Sequence, residues 1–236
     1  MRHDDHPAPR RHRPGPWLVG LVLCIAVGAG APAWSQARDA ARYAVTAEDL
    51  AAGRAALDSL AVRGRAPSTG YARERFGQAW ADVDRNGCDT RNDVLRRDLV
   101  ATVVEDCVVL SGTLDDPYTG VPIPFVRGPG SAAVQVDHVV ALSDAWQKGA
   151  QGWTAEQREA FANDPANLLA VDGPANQEKG AGDAATWLPP HRGYRCVYVL
   201  RQVRVKAAYG LWVTAAERDA MNRTMGGCVV ATVRPP

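Results

Sequence analysis

The residues best suited to chemistry are a carboxylate and an imidazole that stand side by side in an apolar stretch. Asp137 and His138 lie in VQVDHVVAL, a run that is otherwise apolar except for Gln135. Such a run predicts a strand, and burying two ionisable groups in it costs several kcal/mol unless they have partners. A neutral imidazole is a good general base near pH 7, and carboxylate oxygens suit Mg²⁺. A hydrogen-bonded core histidine is the simpler alternative for His138 alone.

Asn167, Asn176 and Lys179 follow this pair in NDPANLLAVDGPANQEKG. Asn167 directly precedes an apolar run, and Asn176 and Lys179 lie in a segment that predicts a short helix. Taken singly, each could be an ordinary turn or helix residue. Their joint occurrence downstream of an Asp-His pair favours a site.

The order and spacing of these residues resemble those of the HNH, or ββα-metal, endonucleases. In that motif a strand carries an Asp-His pair, a loop supplies an Asn, and a short helix supplies a final His or Asn. Asp137 and His138 match the pair, Asn167 matches the loop residue, and Asn176 matches the final position.

A second stretch extends the resemblance upstream. The segment from Phe76 to Asp93, FGQAWADVDRNGCDTRND, is similar to one in exported HNH proteins related to the C-terminal domain of the GmrSD restriction endonucleases. The resemblance covers roughly residues 70–190. It implies a ββα-metal core, and hydrolysis of phosphodiester bonds in nucleic acid with DNA as the expected substrate.

The resemblance also assigns roles to the matching residues. It implies that His138 is the general base and that Asn167 orients the attacking water. Asp137 and Asn176 would hold a divalent ion. Because an amide oxygen at Asn176 is a harder ligand than a third imidazole, Mg²⁺ or Mn²⁺ is expected rather than Zn²⁺ or Ni²⁺.

The net charge of the chain does not favour binding of a polyanion such as nucleic acid. The chain carries a formal net charge of +1, and residues 1–37 contain four Arg and two Asp, so the remainder has a net charge of −1. Phosphate contacts must therefore come from local groups. Lys179 and Arg91 are the candidates for nucleic-acid binding.

The segment DVDRNGCDTRND allows two interpretations that the sequence leaves open. Asp82, Asp84, Asn86 and Asp93 fall at positions 1, 3, 5 and 12 of the EF-hand calcium loop, although position 12 normally holds Glu. The segment is then a second metal site for Ca²⁺, and the protein could be a calcium-stabilised extracellular binding module. Otherwise it is a wall of the nuclease site. A nuclease fold that binds nucleic acid without cleaving it is a further alternative.

The N-terminal residues predict export. A basic, Pro-containing start is followed by WLVGLVLCIAVGAGAPA and by small-residue cleavage sites, which is the layout of a signal peptide over residues 1–37. An uncleaved anchor is the alternative, but the apolar run is short for a membrane span. We expect a secreted protein without a membrane partner, with a helical segment at 38–69 and an HNH domain at 70–236.

Four cysteines remain once the leader is removed. An even number in an exported chain favours disulfides, and three pairings are possible. Pairing neighbours along the chain gives Cys88–Cys107 and Cys196–Cys228. A four-cysteine metal site is less suitable, because no C-x₂-C pair is present.

The coarse pattern predicts an α+β fold, with short strands in the middle of the chain and helices on both sides. One hairpin is expected from VVEDCVVLSGTL and VPIPFVRG, joined by the turn DDPYTG. Thr90 is the expected N-cap of a short helix, and Thr154 with Gln157 predicts a capping box. Further helices are expected in YRCVYVLRQVRVKAAYG and TAAERDAMNR.

Overall fold

The computed structural model describes residues 42–231, so the leader expected at residues 1–37 lies outside the described residues. The helices are α1 (Ala47–Ser59), α2 (Thr90–Asp98), α3 (Leu142–Trp146), α4 (Ala155–Ala162), α5 (Gly173–Lys179), α6 (Arg195–Ala208) and α7 (Ala215–Gly226). The strands are β1 (Leu99–Glu105), β2 (Val108–Asp115), β3 (Pro122–Val126), β4 (Val134–His138) and β5 (Leu168–Asp172). The fold is α+β, as the sequence predicted.

The first sheet is three-stranded and antiparallel, in the order β1-β2-β3. The predicted turn between β2 and β3 is confirmed by the pairing of Asp115 with Pro122. The prediction of a single strand before it is wrong, because the chain reverses at Asp106 and Cys107, which both have positive φ (42° and 72°). An Asp-Cys turn inside a β-branched run gives little sequence signal. The Cys88–Cys107 disulfide ties this turn to the start of α2.

The second sheet forms the frame of the site. Strands β4 and β5 pair antiparallel, with Asp137 opposite Leu169 and His138 opposite Leu168. The connection between them contains α3 and α4, and α5 follows β5 directly. Two antiparallel strands and a short helix therefore place the Asp-His pair, Asn167 and Asn176 in one small unit.

The N-terminal helix packs on the C-terminal helices. Leu50 and Leu57 of α1 share an apolar core with Tyr198 and Val203 of α6 and with Met221 of α7. The Cys196–Cys228 disulfide closes this end of the molecule and confirms the pairing expected from the sequence.

Side-chain caps fix where two helices begin. Thr154 and Gln157 form the predicted capping box at the start of α4. At α2 the predicted cap is wrong by one residue. The side chain of Asp89 accepts a hydrogen bond from the Asn92 N–H at 2.8 Å, and Thr90 is the first helical residue. The Thr90 hydroxyl donates instead to the Ala81 carbonyl, which holds the preceding loop against the helix.

A buried cluster of ion pairs joins α3 to the C-terminal helices. It balances three cations against three carboxylates: Arg65, Lys148 and Lys206 with Asp144, Asp183 and Glu217. The Nζ of Lys148 lies 2.6 Å from Asp144 and 2.6 Å from Glu217, and both lysine side chains are fully buried. Because α3 follows β4 closely, this cluster fixes the chain just beyond His138.

Acid is expected to weaken this cluster. Burial by itself would raise the pKa of Asp144, but Lys206 and Lys148 outweigh it and lower the pKa from 3.8 to about 2. A depressed folded-state pKa stabilises the protein above the unfolded-state value and ceases to do so as the pH falls through the folded-state value. We expect Asp144 to contribute about 2 kcal/mol above pH 4 that is lost towards pH 2.

Urea unfolding at a series of pH values measures this contribution. The slope of unfolding free energy against pH between about pH 4 and pH 2 should be shallower in Asp144→Asn than in the wild-type protein. Equal slopes for the two proteins would show that Asp144 is not the group responsible.

Candidate active site

A cavity of about 550 Å³ opens at the end of β4 and beside α5. Its polar lining includes Asp137, His138 and Asn176, which the sequence had grouped. Apolar surface is supplied by Trp80 and Leu142, among others. Both members of the Asp-His pair reach the cavity although strand neighbours normally point apart, because His138 is the last residue of β4.

The imidazole of His138 is held in one orientation. Its Nε2 lies 2.8 Å from the carbonyl oxygen of Ala162, the last residue of α4. A carbonyl can only accept, so Nε2 carries the proton and donates, and in the neutral ring Nδ1 is the proton acceptor. The Trp80 ring lies nearly parallel to the imidazole, at 14° with centroids 6.4 Å apart. These contacts leave a single basic nitrogen at a fixed position.

The buried setting keeps this imidazole neutral. Burial lowers the pKa of His138 to about 4, and it outweighs the opposing hydrogen bond to Ala162 and the negative charge of Asp137. At neutral pH the ring is therefore unprotonated on Nδ1 and can accept a proton.

Both carboxylate oxygens of Asp137 have partners. Lys179 Nζ lies 2.9 Å from Oδ1, and the Tyr118 hydroxyl donates to Oδ2 at 2.5 Å. Burial, reinforced by the charge of Asp137, raises the pKa of Tyr118 well above its usual value, so this hydroxyl keeps its proton. Each carboxylate oxygen retains a second lone pair that can bind a cation.

Lys179 occupies a different place from the one expected. Its side chain is fully buried, and Nζ donates to Asp137 and to the His138 carbonyl, each at 2.9 Å. Its side chain is not among those that line the cavity, so it is not exposed to a phosphate bound there. Its contacts instead fix the orientation of the Asp137 carboxylate.

Asn167 also differs from its expected role. It is fully buried, accepts from the Val140 N–H at 2.8 Å and donates to the Val140 carbonyl at 3.2 Å. Its own carbonyl accepts from the Val139 N–H at 2.8 Å. Both ends of its side-chain amide bond to the backbone, and Asn167 is not among the residues that line the cavity. Asn167 holds the turn that follows His138.

The amide of Asn176 lies at the cavity with one end bound. Its Nδ2 donates to Gln135 Oε1 at 2.9 Å. Its Oδ1 accepts no hydrogen bond from residues 42–231. An amide oxygen and a carboxylate that line the same cavity are hard, oxygen-only donors, which fit Mg²⁺ or Mn²⁺.

Two arginines also line the cavity. Neither Arg73 nor Arg91 makes a side-chain hydrogen bond or ion pair within the part of the chain that the structure describes. Burial, and then the nearby Arg127, lower the pKa of Arg91 and outweigh the opposing charge of Asp89, so its guanidinium is partly desolvated. The sequence indicates Arg91 but not Arg73, which lies in a 3₁₀ turn with no motif signal.

In the acidic loop of residues 82–93, the carboxylates accept hydrogen bonds from groups of the same loop. Asp82 accepts from the Gly87 N–H at 2.9 Å, while Asn86 Nδ2 donates to Asp84 at 3.0 Å and to Asp93 at 3.1 Å. Among residues 42–231, no three His, Cys, Asp or Glu side chains are grouped as metal ligands. The calcium interpretation, which the sequence left open, therefore gains no support from this geometry.

The chain is similar to a known family and to a known protein. A family model described as "GmrSD restriction endonucleases, C-terminal domain" matches residues 89–224. A protein of Arthroderma benhamiae, described as "Uncharacterized secreted protein", is 39% identical over 175 residues, which cover 73% of this chain and 82% of the relative. No solved structure matches significantly.

The chain belongs to the family of GmrSD restriction endonuclease C-terminal domains. This is a nuclease-like family with nucleic acid as its general substrate, so the resemblance seen in the sequence is confirmed. Two disulfides and a secreted relative point to an extracellular setting. Within residues 42–231, no helix is long and apolar enough to span a bilayer.

Proposed function

We propose that this protein is a secreted, metal-dependent endonuclease that hydrolyses phosphodiester bonds, with DNA as its substrate. One observation carries the proposal. Asp137, His138 and Asn176 line one cavity, and the Ala162 carbonyl leaves Nδ1 of His138 as the proton acceptor of the ring. A signal peptide at residues 1–37 and an HNH domain at 70–236 complete the proposal.

In this mechanism His138 Nδ1 takes a proton from the water that attacks phosphorus. Asp137 and Asn176 would hold a divalent ion through one carboxylate oxygen and one amide oxygen. When bound, such an ion stabilises charge on the phosphate and on the leaving 3′-oxygen. Lys179 and Tyr118 keep the Asp137 carboxylate in place.

Phosphate binding falls to Arg73 and Arg91, which line the cavity and make no ion pair among residues 42–231. Guanidinium groups match phosphate oxygens with paired donors, and an arginine that is not held in an ion pair is available for that contact. Arg91 keeps the role expected from the sequence, and Arg73 takes the place that Lys179 had been given. With few cations available, binding should be modest and sensitive to salt.

Metal dependence tests the proposal directly. The purified protein should nick supercoiled plasmid with Mg²⁺ or Mn²⁺, and excess chelator should abolish nicking. Re-addition of Mn²⁺ in excess of the chelator should restore nicking, because the chelator removes the ion but leaves the folded site intact. Nicking at an unchanged rate in chelator would contradict the mechanism.

The same samples separate the two other candidates. A calcium-stabilised module would show a higher melting temperature with Ca²⁺ and no cleavage with any ion. An inactive nucleic-acid-binding fold would shift DNA in a gel without nicking it. Either outcome would replace the endonuclease assignment.

A further inference from the structure

We infer that Gln135 is a positioning residue that turns the carbonyl end of the Asn176 amide towards the ion-binding cavity. This inference rests on the proposed function, because it concerns the metal site proposed above. Nothing in the family resemblance assigns Gln135 a role.

A backbone carbonyl sets the orientation of the Gln135 amide. The Ala132 oxygen, in the 3₁₀ turn before β4, accepts from Gln135 Nε2 at 3.5 Å. A carbonyl oxygen cannot donate, so Gln135 presents its NH₂ group to Ala132. Its Oε1 then faces the other way, towards α5.

The next bond transfers that orientation to Asn176. Gln135 Oε1 accepts from Asn176 Nδ2 at 2.9 Å. With its NH₂ group used in this way, Asn176 leaves Oδ1 for the cavity. An Asn turned by 180° would present two N–H donors there, and these would repel a cation.

Backbone geometry keeps the three groups within reach of one another. Gly173, the first residue of α5, approaches the turn so closely that a Cβ would lie 2.4 Å from the Ala132 oxygen and 3.2 Å from Gln135 Nε2. A side chain would therefore push α5 away from the turn. The absence of a side chain at Gly173 lets α5 carry Asn176 to Gln135.

Gln135→Met provides the test, because Met has a similar length and no hydrogen-bonding amide. Without nucleic acid, the Mn²⁺ dissociation constant can be obtained from paramagnetic broadening of protein amide signals. We expect Gln135→Met to weaken Mn²⁺ binding about 10-fold, the scale seen when an outer partner of a metal ligand is lost. Gln177→Met, at an exposed position of the same helix, is the matched control and should bind as the wild type does.

Testing the same substitution in an Asn176→Asp variant separates a positioning role of Gln135 from general disruption of the site. A carboxylate has two equivalent oxygens and needs no partner to choose between them. In Asn176→Asp, adding Gln135→Met should therefore change Mn²⁺ affinity less than about twofold. A similar loss in both backgrounds would overturn the inference, because it would indicate general disruption.

The result for the wild-type protein distinguishes this inference from the proposed function. Wild-type protein that binds no Mn²⁺ at millimolar concentration would contradict the metal site and the inference together. Wild-type binding that Gln135→Met leaves unchanged would contradict the inference alone.

Discussion

Replacing His138 by alanine is expected to lower the rate of plasmid nicking by about 10²- to 10⁴-fold, the usual contribution of a general base. The reason is geometric. The Ala162 carbonyl occupies Nε2, so Nδ1 is the nitrogen that can accept the proton of the attacking water. Initial nicking rates with saturating Mn²⁺ measure the loss.

A second variant guards against a trivial loss through misfolding. Glutamine has an NH₂ group that can still donate to the Ala162 carbonyl, but it has no basic nitrogen. His138→Gln should therefore keep the wild-type melting temperature and lose activity to a similar extent. If either folded variant nicks as fast as the wild type, His138 is not the general base.

Replacing Lys148 by methionine is expected to cost about 3–5 kcal/mol of unfolding free energy, as when one partner of a buried ion pair is removed. Three carboxylates would then share two cations in the cluster that holds α3. Typical domains have only about 5–15 kcal/mol in total, so the variant should be close to the limit of stability. Urea unfolding at pH 7 measures the change.

The exposed pair of Arg204 and Asp49 gives the matched control. Its side chains are 52% and 44% exposed. Arg204→Met removes the same kind of ion pair from a solvated position, where the cost is expected to stay below about 1 kcal/mol. Equal losses of unfolding free energy for the two substitutions would mean that burial does not make the Lys148 ion pairs more important for stability than an exposed pair.

Much of the site could be predicted because the motif preserves spacing along the chain. Asp137 and His138 are adjacent, and Asn176 lies on the helix that directly follows β5. Local signals also predicted the capping box at Thr154 and the turn between β2 and β3. The capping box and the turn each depend on residues close in sequence.

The roles of Lys179 and Asn167 could not be read in the same way. Spacing brings both to the site, but burial and side-chain direction decide whether they contact solvent or backbone, and these depend on packing. Tyr118 and Gln135 had no motif at all. The i, i+4 spacing of Asp144 and Lys148 was visible, yet nothing nearby showed that Glu217, 69 residues further on, would bury the pair.

The two carbonyls that orient the site belong to Ala132 and Ala162, and neither residue lends its side chain to the chemistry. Substitution at either position leaves the oxygen in place, so a mutational scan would tend to pass over both. Comparing sequences would overlook them for the same reason. Replacing the peptide bond after Ala162 by an ester weakens the carbonyl as an acceptor. This change would test whether nicking depends on the Ala162 carbonyl, which no side-chain substitution can do.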